Sequence, residues 1–465
     1  MADRPSRSTF HERMDEMVSV LRDEMISGKR QVGEFLPSER ALGKQFRISN
    51  KSVRDALGIL QSEGLIEKIP KVGSRVASLP DDKAIRVRFA YHNELVHECD
   101  ISHLITMFHK EHPHIRVQPM PLMDFTEFMD SDLFDVFSVN HIGFQQIVKE
   151  GLTDRLETQQ PRENVYPYLF KSFLYEGELK VQPFTFSPVI LCYNKAHFAE
   201  KNVLEPDSSW SWDDLIRAAA QLEIPNERFG FYTYLQAINR WPTLLLQSGL
   251  AFPKPGDRSY VERLGTWVEA LRICRDLIRQ QSMKTIFDRE EDTEELFLQG
   301  RASMIMTTYF RLNELKKAPF EYDIAPLPYS HNSKTQLITI GLGLMAGSKQ
   351  KEASKAFIDF LLSYTSQQTI RSRTLSIPAL KTAAEWNGKD SVHRPSRFPM
   401  HREIVPTFGL ISELNMNERM ISSLLKEAKY YWSGLYSDDA LQDRLEAWIE
   451  DQLEEQRQQQ LAAAE

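Results

Sequence analysis

Phe35–Lys68 reads FLPSERALGKQFRISNKSVRDALGILQSEGLIEK. Pro37-Ser38 offers a helix start, because a serine side chain can accept from the unpaired amides of a first turn. Leu42 and Phe46 then form the apolar face of a short helix. Ser49 opens another helix, in which Val53, Ala56, Leu57 and Leu60 make one stripe and which Gly64 ends. Upstream, Phe10, Met14, Met17, Val18, Leu21 and Met25 recur at three- and four-residue steps, so a helix is expected over 10–27, stopped at Gly28. Downstream, the β-prone runs LIEKI (65–69) and SRVAS (74–78) are split by Pro70-Lys71-Val72-Gly73, which reads as a hairpin. Three helices and a hairpin predict an α+β winged helix-turn-helix over residues 1–78.

With the apolar stripe of the third helix turned inward, Asn50, Lys51, Ser52 and Arg54 lie on the other face near its start. A recognition helix points that end into the DNA major groove. Arg can hold guanine or phosphate with two hydrogen bonds, and Asn can do so with adenine. Arg40 falls early in the second helix, within reach of a phosphate backbone, and Lys71 and Gly73 fall at the wing tip.

The motifs FLPSER, ISNKSVRDALGILQSEGLIEK and KVGSRV, in this order, closely resemble the DNA-binding domain of the GntR family of bacterial transcription regulators. The resemblance covers about residues 8–78. It implies DNA contacts at Arg40, Ser49, Lys51, Ser52, Arg54 and Gly73. The family usually has Arg where this chain has Asn50, so the base read there is expected to differ.

Residues 79–84, beginning Leu79-Pro80-Asp81-Asp82-Lys83, read as a linker. Strand-like IRVRFAY, a helix through His103–Lys110, and the strands IRVQPMP and FDVFSVN follow, an alternation that predicts an α/β body over 85–455. The tail 456–465, rich in Gln and Ala, is expected to fray. FHKEHPHIRVQ, FDVFSVN with EGLTDRLE, LKVQPFTFSPVILCYNKAHFAE, SWSWDDLIRAAAQL, FLQGRASMIMTTYF, FEYDIAPLP and SIPAL, taken as an ordered set, resemble family 1 extracellular solute-binding proteins. That resemblance implies a two-lobed, periplasmic-binding-protein-like fold of type II with a ligand cleft between the lobes. Sugars need flat apolar surfaces and polar tips, which aromatic residues combine. The expected cleft residues are Asn140 and His141 after FDVFSVN, Trp241, Tyr309 and Phe310 after ASMIMTT, and Trp386 past SIPAL. Trp210 and Trp212 flank a helix start capped by Ser211 and read as a structural staple.

The 465 residues carry a net charge of −8, unevenly spread: 14 Lys and Arg against 11 Asp and Glu in residues 1–78, and 43 against 54 in the rest. A locally basic head on an acidic body leaves the head to meet a polyanion. Cys99, Cys192 and Cys274 are odd in number and far apart, which is no disulfide framework. The opening MADRPSRSTF has no apolar h-region, and no apolar run reaches the roughly 20 residues of a membrane span, so a cytoplasmic protein is expected. No zinc-spaced ligand set, Walker A, GxSxG or HExxH motif is present, so neither a metal nor a catalytic residue is assigned. GLGLMAG at Gly341–Gly347 lacks the βαβ context of a dinucleotide loop, and the solute-binding resemblance implies a strand near the cleft there.

The expectation is a non-enzymatic, cofactor-free transcription regulator. It would act as a homodimer on a double-stranded operator and be switched by a small effector, a carbohydrate. Two alternatives stand beside it. One is a regulator with a pyridoxal-phosphate aminotransferase-like body, which would need a cofactor lysine motif and an NPxxPxG-type loop. The other is an adaptor whose body binds a protein partner.

Overall fold

The computed structural model describes residues 7–26, 30, 33–62, 64–69, 72–77, 85–92, 94–113, 115–122, 128–131, 133–279, 292–388 and 392–464. The chain divides into two compact units: residues 1–89 with 101–121, and residues 90–100 with 122–465.

The first unit opens with α1 (Arg7–Ile26), α2 (Glu39–Phe46) and α3 (Asn50–Ser62), followed by the antiparallel pair β1 (Ile66–Ile69) and β2 (Gly73–Val76). Ser38 Oγ accepts from the Ala41 amide, the cap expected from Pro37-Ser38. Arg47 at φ 55° turns the chain sharply between α2 and α3. Gly64 at φ 72° follows α3, and the Leu65 amide reaches back to the Leu60 carbonyl. Leu42, Phe46, Val53, Ala56, Leu57 and Leu60 bury their side chains together with Met17, Leu21, Ile66 and Val76, so the anticipated stripes are the head's core. The same unit holds β3 (Ile85–Tyr91) through Phe89, then α5 (Ile101–Glu111) and β4 (Ile115–Pro121), with α4 (Glu94–Cys99) in the second unit. The proposed linker 79–84, Lys71 and the expected stop at Gly28 lie outside the described residues.

The second unit is built on β5 (Val136–Asn140), β6 (Val181–Asn194), β7 (Phe229–Tyr232), β8 (Ala302–Thr308), β9 (Tyr322–Ala325) and β10 (Thr335–Leu344). Their order is β5-β10-β6-β8-β7, with β9 also on β6. β6 is 14 residues long and buried throughout. Its Val181–Pro188 stretch pairs antiparallel with β10, and its Val189–Asn194 stretch pairs with β8 and β9. One strand therefore belongs to both lobes of the body. GLGLMAG falls mostly within β10. A Cβ on Gly343 would sit 2.2 Å from the Phe137 ring, so only glycine lets that ring lie on the strand.

Helices cover the sheet: α6 (His141–Lys149), α7 (Trp212–Leu222), α8 (Trp241–Ser248), α9 (Gly265–Arg279), α10 (Glu418–Trp432) and α11 (Asp438–Ala464) among them. Ser211 and Asp214 form a reciprocal capping box at the start of α7, and buried Trp212 donates Nε1–H to Gln247, as the staple reading required. The tail departs from expectation. α11 runs to Ala464, because 456–464 contains no Gly or Pro and is made of strong helix formers.

Leu60→Ala, at a fully buried position of the head core, should cost about 2–5 kcal/mol. Amide exchange in α1–α3 should quicken while protection along β6 is unchanged; equal protection loss in both would contradict an independent head core.

Candidate functional site

The loop between α2 and α3 brings one polar face to the surface. Ser49 Oγ accepts from the Ser52 amide at 3.1 Å, and the two hydroxyls lie 3.0 Å apart, so both serines are engaged in starting α3. Arg40, Asn50, Lys51 and Arg54 are exposed. Arg54 Nε donates to Glu39 Oε2 at 3.1 Å, which ties the third helix to the first turn of the second. Gly73 stands at φ 144°, a conformation that a side chain would strain, and is exposed at the start of β2. Arg75 on β2 pairs with Glu67 across the hairpin. Arg40, Ser49, Asn50, Lys51, Arg54 and Gly73 are thus all exposed, and Ser52 is half-buried. The Arg54–Glu39 pair is exposed at both ends.

In the body the expected open aromatic walls are not found. His141, Trp241, Tyr309 and Phe310 are exposed by 1%, 1%, 0% and 4%. Trp241 packs edge-on to Trp432 in an apolar core, and Tyr309 donates its hydroxyl to the Phe398 carbonyl at 2.9 Å. Large rings at strand ends have been taken into the nearest core. Asn140 is exposed, but its side chain accepts from the Gly143 amide and so caps α6. Trp386 is half-buried against the backbone of Gly388. Phe310 does reach the strand shared by the lobes, its amide donating to Ser187 Oγ at 3.0 Å.

Beside Ser187, Phe186 is the hub of a cluster in which the expected Tyr309, its ring centroid 5.9 Å from that of His401, also takes part. Ring centroids of Tyr166, Tyr168, His401 and Phe408 lie 5.6, 5.8, 6.2 and 6.3 Å from that of Phe186. Tyr166 donates to Glu385 at 3.0 Å. The hydroxyl of Tyr168 is buried without a hydrogen-bond partner, and so is Nε2 of His401. His401 Nδ1 lies 3.1 Å from the Phe398 carbonyl, which can only accept, so the proton sits on Nδ1 and Nε2 keeps its lone pair. Burial holds this imidazole neutral, lowering its pKa to about 4. Phe186 is fully and His401 nearly fully enclosed, as buried as the expected His141, Trp241 and Tyr309, and two polar atoms of the cluster have no protein partner. The tyrosines flanking Pro167 and the alternation in PFTF were the available signal; what brings His401 and Phe408 there is tertiary.

The profile of the bacterial extracellular solute-binding protein family matches residues 93–368, and that of the bacterial regulatory proteins of the gntR family matches residues 14–76. The chain is 24% identical to the galactooligosaccharide-binding protein of Bacillus subtilis (strain 168) over 257 residues, 51% of this chain and 58% of that protein. It is 25% identical to the sn-glycerol-3-phosphate-binding periplasmic protein of Escherichia coli (strain K12) over 222 residues, 44% of this chain and 50% of that protein. The chain thus spans a little over half the length of the curated relatives it matches. Among solved structures it resembles an ABC substrate-binding protein from Listeria monocytogenes in complex with cycloalternan (TM-score 0.61, 18% identity, 80% of this chain and 99% of that one). It also resembles the GacH receptor of Streptomyces glaucescens (TM-score 0.65, 18% identity, 79% and 99%). These structures share the two-lobed fold. Neither matching family is catalytic.

His109, His141, His197 and His401 all fall from the ordinary 6.5 to about 4, chiefly through burial. Between pH 6.5 and 4 the unfolded chain therefore binds protons that the folded chain refuses, and stability drops as the pH falls through that window. The urea midpoint should decline from pH 7 to 4.5, and His401→Gln should flatten that decline by about one proton. A slope identical to that of the parent chain would contradict the neutral assignment.

Proposed function

The chain belongs to the bacterial extracellular solute-binding protein family and carries a gntR-family regulatory domain ahead of that match, and from this premise we propose that it is a DNA-binding transcription regulator whose body senses a sugar or oligosaccharide. The observation that carries the reading is the joining in one chain of the exposed Asn50, Lys51 and Arg54 face with a two-lobed body whose lobes share β6.

The head takes the major groove with α3. Arg54 and Asn50 address base edges, Arg40 and Lys51 the phosphates, and Gly73 with Lys71 the wing contact. The effector occupies the cluster around Phe186, where rings cover its C–H faces and the Tyr168 hydroxyl and His401 Nε2 meet its hydroxyls. A neutral imidazole acceptor suits a sugar hydroxyl and offers nothing to a phosphate, which favours an uncharged carbohydrate over a phosphorylated polyol. The names and ligands of the oligosaccharide-binding relatives support the same class. Closure of the lobes about β6 changes the presentation of the head. The protein acts inside the cell, as a homodimer on a two-fold operator, and represses carbohydrate uptake or utilisation genes until the effector binds. Coupling of about 1–3 kcal/mol would change operator affinity 5- to 150-fold.

Arg54→Ala should lower operator affinity by at least about tenfold in gel shifts while leaving the effector's binding heat unchanged, and affinity of the parent chain should fall steeply with salt. Operator DNA retained at full affinity would refute the role of Arg54. In a thermal-shift screen against mono- and oligosaccharides, one ligand at 100 times its Kd should add about 2.7 kcal/mol. If no carbohydrate stabilises the chain, the sensing half of the proposal fails.

A further inference from the structure

The first unit contains a cavity of about 430 Å³, within the size range of small-molecule sites. Met25, Leu65, Val76, Ile105 and Val117 supply its apolar wall. Arg86, Lys110 and Arg116 supply three positive charges. None of the described residues lining it is a carboxylate, and no ion pair joins these three cations to a described acid. His109 adds no charge: its Nε2 accepts from the Val117 amide at 3.0 Å, and burial beside Arg116 lowers its pKa to about 4. Arg116 is half-buried, whereas Arg86 and Lys110 are exposed and screened by water, so a negative group entering the cavity would meet its least screened partner in Arg116.

We propose that this cavity binds a small organic anion, a carboxylate on an aliphatic or aryl body, with Arg116, Lys110 and Arg86 facing the carboxylate and the apolar wall taking the chain. The site goes beyond the sugar reading and uses none of the residues around Phe186. Its wall includes Ser62 and Gly64 at the end of α3 and Val76 at the end of β2, the elements whose opposite ends carry Asn50–Arg54 and Gly73. An occupant therefore bears on the same helix and strand that present the DNA-reading face.

The test uses the full chain with octanoate and 4-phenylbutyrate as probes, followed by calorimetry and amide exchange. One site is expected, with octan-1-ol binding at least about tenfold more weakly, since the alcohol lacks the charge. Arg116→Gln should weaken octanoate at least about tenfold, and Ile105→Trp, which fills the cavity, should abolish binding. Arg116 is half-buried at its rim, so the glutamine variant keeps the test valid even if the tryptophan variant folds poorly. Exchange should slow in residues 62–66 and 102–119. Four results would overturn the site: no heat from either carboxylate up to millimolar concentration, equal affinity for the alcohol, affinity unchanged in Arg116→Gln, or protection appearing only in residues 122–465.

Discussion

The body depends on the hydrogen-bond ladder along Val181–Asn194. All fourteen residues of this strand are buried, so its backbone polar groups must be satisfied on both edges. β10 serves one edge of its first half, and β8 and β9 serve its second half. A change in the angle between two lobes that share a strand has to bend that strand. Phe186 and Ser187 stand where its partners change, and there the rings of Tyr166, Tyr168, His401 and Phe408 converge. Filling of the aromatic cluster and the angle between lobes are thereby set by the same few residues.

A buried hydroxyl or imidazole nitrogen left unpaired costs about 1–3 kcal/mol. Tyr168 Oη and His401 Nε2 both carry this cost within the protein alone. Around them, Tyr309 and His401 both reach the Phe398 carbonyl, and Ser187 takes the Phe310 amide. Tyr322 Oη and both side-chain polar atoms of Gln336, which pairs with Gly409 beside Phe408, are buried without partners as well, so unpaired polar atoms are spread through this part of the body.

The head was legible in the sequence and the aromatic cluster around Phe186 was not, for a physical reason. Leu42, Phe46, Val53, Ala56, Leu57 and Leu60 pack against neighbours only a helix or two away, so their spacing encodes their contacts. The Ser38 and Ser49 caps are likewise local. The alternation of strands and helices in the body was legible too, but which rings line a shared space depends on pairings far apart in the chain. Trp241 is packed in a core of its own, whereas Tyr309 shares the core cluster of Phe186 and contacts His401. His401 and Phe408 come from a stretch of short 3-10 turns with no periodic signal. The C-terminal helix exceeded expectation because low complexity in Gln, Glu and Ala is a weak guide where helix propensity is high.

The exposed Arg54–Glu39 pair bears on how the head discriminates. An ion pair open to solvent at both ends is worth about 0–1 kcal/mol, whereas a bidentate arginine–guanine contact is worth about 1–3 kcal/mol of discrimination. On the proposed reading guanine would win Arg54 from Glu39, while a single screened phosphate contact would compete with it on nearly equal terms. The carboxylate also repels phosphates that approach without a base to offer. On that reading Glu39 would weigh on non-specific binding more than on specific binding. The acidic remainder of the chain acts in the same direction, since a body carrying 54 acidic against 43 basic residues is repelled by duplex DNA. Specificity in this head then arises partly from what holds Arg54 back, and the basic charge that draws the head to DNA need not be large.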